Sequence, residues 1–104
     1  MKNVDKSQWK ELVGSPNSVV LDVRTPEEWQ DGVQKDAETL NFLDSAAFMD
    51  GLQKLDKSKT YYVYCRSGGR SAQACSIMDQ AGFADTYNLL GGMLEWDGEV
   101  VPYT

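Results

Sequence analysis

The chain has 104 residues, 41% of them hydrophobic and 25% charged, with three Trp, five Tyr and three Phe. That is enough apolar material for one folded domain, with little room for a second. The net charge of −6 removes the basic surface that a nucleic acid or an anionic membrane would require, and the absence of histidine excludes imidazole acid–base chemistry and any His-containing metal site.

In chain order, Asp5 to Val13 reads as a short helix with Trp9, Leu12 and Val13 at helical spacing. Asp5 or Ser7 caps it, and Gly14-Ser15-Pro16 stops it. Val19 to Val23 is a short β-branched run bounded by turn residues, as expected of a buried strand. Thr25-Pro26-Glu27-Glu28 is a helix start, with Thr as cap, Pro in the first turn and acids near the positive end of the dipole; this helix ends near Gly32. Val33 to Asp36 reads as loop and Glu38 to Phe42 as a second short strand. Asp44 or Ser45 caps a helix reaching Leu55, with Ala47, Phe48, Leu52 and Leu55 on one side.

Thr60 to Tyr64 is the clearest strand. A Gly-rich turn, Cys65-Arg66-Ser67-Gly68-Gly69-Arg70-Ser71, follows it, and then a helix over Ala72 to Ala81 that Gly82 ends. Thr86 to Leu90 is a last strand, after which Gly91-Gly92 turns the chain into a segment ending near Trp96. Strands alternating with helices predict an α/β domain spanning 1–104, with a central, mostly parallel sheet flanked by helices on both faces. Ligands bind such sheets beyond the carboxyl ends of the strands, where Cys65 falls.

The turn around Cys65 has the composition of a thiolate site. A free thiol is mostly protonated at neutral pH, with a pKa of about 8.5. Backbone N–H groups of a tight turn and the N-terminus of the next helix favour the anion. Arg66 and Arg70 add fixed positive charge, Gly68 and Gly69 permit positive φ, and Ser67 and Ser71 offer hydroxyl donors. Cys75 lies mid-helix beside apolar residues and reads as packing; both cysteines are expected as free thiols. Asp22 and Arg24 read as fasteners at a strand end, Glu27 and Glu28 as dipole stabilisers, and Trp29 and Trp96 as core or rim aromatics. Asn41, Phe42 and Leu43 are placed near the mouth of the site.

Three blocks together resemble the rhodanese (sulfurtransferase) family: Leu21 to Trp29, the loop from Cys65 to Ser71, and Asn88 to Trp96. The resemblance implies a rhodanese-like fold in which Cys65 takes up a sulfane sulfur as a persulfide and passes it to a nucleophile. The backbone and side chains of Arg66, Ser67, Gly68, Gly69, Arg70 and Ser71 would hold that sulfur and its small anionic donor, such as thiosulfate. Acceptors would be cyanide, a thiol or a protein cysteine, without cofactor or metal. Phosphatase and arsenate-reductase loops are similar but carry one more residue between Cys and Arg, and the four residues here favour sulfur. A non-catalytic rhodanese-like binding module is the remaining alternative, although such modules usually lose the nucleophile or the loop glycines. The family's Gly-His-Ile-Pro-Gly-Ala segment is here Gly32-Val33-Gln34-Lys35-Asp36-Ala37, a departure expected to reshape a wall of the site. No apolar run is long enough for a membrane span and the start of the chain lacks a signal-peptide pattern, so a cytoplasmic protein with no membrane or nucleic-acid partner is expected.

Overall fold

The computed structural model describes all residues, Met1 to Thr104. Five strands form one sheet: β1 (Lys2–Val4), β2 (Ser18–Asp22), β3 (Glu38–Thr39), β4 (Thr60–Tyr64) and β5 (Asp85–Leu89). Their order across the sheet is β1-β5-β4-β2-β3 and every pairing is parallel. The helices are α1 (Lys6–Leu12), α2 (Pro26–Trp29), α3 (Ser45–Gln53), α4 (Gly69–Gln80) and α5 (Gly92–Glu95). No helix is long and apolar enough to cross a membrane.

β4 lies at the centre, and its pleat divides the core in two. Tyr61, Val63 and then Cys65 join Phe48 and Leu52 of α3 and Ala74, Cys75 and Met78 of α4 on one face. Tyr62 and Tyr64 join Val4, Trp9 of α1 and Leu89 on the other, with Met93 and Trp96 packed alongside. Trp9 is fully buried, edge-on to Tyr62 at 5.6 Å and Tyr64 at 6.2 Å between ring centroids. Such aromatic pairs add about 0.5–1.5 kcal/mol beyond the area they bury. Burial on both faces explains why β4 reads as a continuous apolar run.

The caps follow local chemistry. Asp5 takes the Gln8 N–H at 2.8 Å while Gln8 Oε1 accepts the Asp5 N–H at 3.1 Å, so Asp5 rather than Ser7 is the cap of α1. Asp44 caps α3 through the Ala47 N–H. Gly68 caps α4 from the left-handed region, at φ 106°.

Beyond shifts of one to three residues at the ends of other elements, four features differ from the sequence expectation. β1 is an additional strand; it has three residues and only Val4 is buried, so no alternation marks it. β3 stops at Thr39 rather than Phe42, because beyond it the chain meets the β2 side only through Leu40 N–H to Asp22 and Phe42 N–H to Val23. α4 begins at Gly69, three residues before Ala72, since the left-handed Gly68 turns the backbone directly into the helix. The loop 33–36 is not solvated throughout. Val33 makes an antiparallel bridge with Val101, and buried Gln34 accepts the Trp9 indole N–H at 2.9 Å while its own N–H reaches the Tyr64 hydroxyl at 3.0 Å. The Gln34 side chain is stable there because the buried Trp9 indole N–H needs an acceptor, while the Tyr64 hydroxyl satisfies the Gln34 backbone N–H.

Candidate active site

Cys65 follows the last residue of β4 and is wholly buried. Its Sγ lies 3.1 Å from the Gly68 N–H, which donates to it, and 3.3 Å from the Ser71 hydroxyl oxygen. The sulfur thus sits against the N-terminus of the twelve-residue helix α4, where unpaired N–H groups and the helix dipole favour negative charge. Burial pushes the Cys65 thiol up. Hydrogen bonding by the Ser71 side chain and by the backbone N–H groups of Ser71, Gly68 and Ser67 outweighs it, and the thiol is held below its ordinary value.

The arginines contribute differently from expectation. Arg66 is exposed. Arg70 is bidentate on Glu28 of α2, at 2.8 and 3.0 Å, so its fork is already filled by a carboxylate. The charge of Cys65 raises the Arg70 pKa, but less than Glu28 does. Backbone and hydroxyl hydrogen bonds therefore lead in tuning the thiol. Glu28 in turn is held down to about 2, first by the Arg70 hydrogen bond and, against the cost of burial, by the Thr25 backbone and hydroxyl. Its role extends beyond the dipole: it completes the α2 capping box and ties α2 to the sulfur loop. Of the loop glycines, Gly68 has positive φ and Gly69 does not, because Gly69 is already the first residue of α4.

The turn before α5 closes the loop from above. Met93 N–H donates to the Cys65 carbonyl at 3.0 Å and Leu94 N–H to the Arg66 carbonyl at 2.9 Å. Gly92, at φ 53°, lies so close that a Cβ there would stand 2.5 Å from the Cys65 carbonyl oxygen. Ser71 is fully buried, and Asn88 of β5, 2% exposed, faces it. Asn88 escaped the sequence reading; its one signal is an amide in an otherwise apolar strand end, Asn88-Leu89-Leu90. Ser67 is exposed beside Arg66.

Other residues play supporting parts. Arg24, 5% exposed, holds Asp22 through Nε and an amino group and also donates to the Gly32 carbonyl, while the Trp29 indole donates to Asp22. Asn41 accepts the Leu43 N–H, Phe42 packs edge-on to Phe48 at 5.2 Å, and Leu43 is exposed. Cys75 is buried and its thiol pushed up to about 12, chiefly by burial; both cysteines are free. A surface concavity lined by Val13, Val20, Gln34 and Trp96, among others, includes no residue of the 65–71 loop.

Comparison with known proteins agrees with this architecture. The model of the family described as "Rhodanese-like domain" matches residues 5–99. The chain is 35% identical over 103 residues to a "Putative sulfurtransferase YtwF" of Bacillus subtilis, covering 98% of this chain and 96% of that protein. It is 32% identical over 91 residues to a "Sulfurtransferase" of Allochromatium vinosum, covering 88% and 82%. The crystal structure of a rhodanese-like domain protein from Staphylococcus aureus superposes with a TM-score of 0.84 at 30% identity, covering 100% of both chains.

Proposed function

Because the chain belongs to the rhodanese-like family, a family of sulfur-transferring enzymes, we propose that it moves a sulfane sulfur from thiosulfate or a persulfide donor, through a Cys65 persulfide, to cyanide, a thiol or a protein cysteine. The Cys65 thiolate attacks the outer sulfur of the donor. With thiosulfate, the S–S bond breaks and sulfite leaves with the electron pair. The acceptor then attacks the outer sulfur of the persulfide, and Cys65 departs as thiolate. No proton need be removed in the attack, because the thiolate is formed beforehand.

The observation that carries this reading is the Gly68 N–H on Cys65 Sγ at the N-terminus of α4, in a loop where four residues separate Cys65 from Arg70. The same backbone donors favour the persulfide anion. Arg66, Ser67, Gly68, Gly69, Arg70 and Ser71 surround the entering donor in this reading. Mass spectrometry after thiosulfate or glutathione persulfide treatment tests it. The wild type gains one sulfur, and Cys65→Ser gains none. No gain with either donor, or equal gain by Cys65→Ser, sinks the proposal, and Cys65-dependent hydrolysis of an aryl phosphate in its place would assign phosphatase chemistry.

A further inference from the structure

Ser71 has one hydroxyl proton and two neighbours competing for it. Its Oγ is 2.5 Å from Asn88 Oδ1 and 3.3 Å from Cys65 Sγ. The Asn88 amide cannot turn over to offer a donor. Its Nδ2 already donates to the Gly68 carbonyl at 3.3 Å and to Asn3 Oδ1 at 3.0 Å, and a backbone carbonyl can only accept. Asn88 Oδ1 therefore faces Ser71 as an acceptor, and two oxygens this close need the proton between them.

The geometry points to Asn88 as a positioning residue for Cys65: by accepting the single proton of Ser71, it keeps that proton off the sulfur until the thiolate forms. While Cys65 is a thiol, its S–H donates to Ser71 Oγ and the Ser71 O–H donates to Asn88. When Cys65 loses its proton to solvent, the Ser71 O–H swings to Sγ, leaving Asn88 Oδ1 without a donor. No bond to a heavy atom is made or broken; one proton leaves the sulfur and one hydroxyl rotates. Forming the thiolate thus carries the cost of an orphaned buried amide oxygen, and Asn88 sets how much of Cys65 is ionised at a given pH.

The other charged and titratable groups packed around the sulfur come from the loop and four elements. Arg66 and Arg70 lie on the loop, Glu28 of α2 is held at about 2, and Cys75 of α4 at about 12. Asp22 and Arg24, at the end of β2, form a buried ion pair. Glu95 of α5 faces Gly91.

The consequence for turnover rests on the proposed function, but the test does not. Thiolate absorbance is followed against pH, as the difference from Cys65→Ser, in the wild type, Asn88→Leu, Ser71→Ala and the double variant. Asn88→Leu frees the Ser71 proton for sulfur and lowers the midpoint by about one pH unit, roughly a tenfold gain in the thiolate-to-thiol ratio. In the Ser71→Ala background the same change moves nothing. A merely structural role gives the opposite sign, because loss of the Asn88 amide loosens Gly68, whose N–H holds the sulfur. An unmoved or raised midpoint, or an equal shift in both backgrounds, overturns the proposal. Should Asn88→Leu fail to fold, neutron diffraction of the wild type at pH values on either side of the midpoint decides. The Ser71 proton points to Asn88 in the thiol and to Sγ in the thiolate; a proton on Sγ in both states overturns the proposal. Absence of sulfur loading with these results in place refutes the sulfurtransferase reading alone.

Discussion

Glu28 holds Arg70 with both carboxylate oxygens, at 2.8 and 3.0 Å, and so joins the first turn of α2 to the loop that carries Cys65. Its pKa falls from an ordinary 4.5 to about 2 in the folded chain. The stabilisation is therefore complete above pH 4.5 and is lost as the pH falls from there through 2. The pair is partly exposed, so solvent screening limits it to about 1 kcal/mol. Urea denaturation at successive pH values should show the wild type losing this increment in that window. Glu28→Gln should already lack it at neutral pH and lose correspondingly less on acidification.

Gly92 and Gly69 should respond oppositely to alanine. A Cβ at Gly92 meets the backbone of Cys65 and Arg66 at 2.5 to 2.6 Å, and neither can yield without moving the loop. Gly92→Ala should lose about 1–3 kcal/mol and most sulfur loading. A Cβ at Gly69 meets nothing within 4 Å and φ there is not positive, so Gly69→Ala should stay within about 0.5 kcal/mol of the wild type. Denaturation midpoints of the two variants check the contrast.

The two thiols should separate in one titration. Cys65 ionises below the usual thiol value and Cys75 near 12, so a single thiolate step is expected for the native chain between pH 5 and about 10. In denaturant both thiols titrate together at the ordinary value, with twice the amplitude. Cys75→Ala should load sulfur as the wild type does while losing about 1 kcal/mol of packing. If its loading falls with the fold intact, the packing role is wrong.

Removing one partner of the Asp22–Arg24 pair should be severe. Asp22→Ala strands a guanidinium that is 5% exposed and leaves the Trp29 indole N–H without its acceptor. A loss of about 3–5 kcal/mol is expected by thermal or urea denaturation. A loss below 1 kcal/mol would show that solvent reaches Arg24.

The strand, turn and helix around Cys65 are legible from sequence because each is written in adjacent residues: an apolar run, two glycines, then helical spacing. β4, buried on both faces, and β2, a run of Val and Leu beside it, are legible for the same reason. β1 is not, because three residues with one buried side chain carry no periodicity and gain their place from pairing with β5, with Lys2 opposite Tyr87. Arg70 shows the same limit inside the site. Its charge is readable, but its occupation by Glu28, 42 positions away, is a fact of tertiary geometry. Asn88 and Gln34 look like ordinary polar residues until the fold buries them beside Ser71 and Trp9.

Gly92 lying against the Cys65 carbonyl also orders events during synthesis. Cys65 leaves the ribosome 27 residues before Gly92 and 23 before Asn88, by the spacing of the sequence. The sheet has only parallel pairings, and β5 must dock between β1 and β4 before α5 can cover the loop. Contacts so distant in sequence form late. A chain stalled short of β5 therefore carries the Cys65 loop without the turn that binds the Cys65 and Arg66 carbonyls. Completion of the C-terminal segment is what fixes the backbone that carries Cys65.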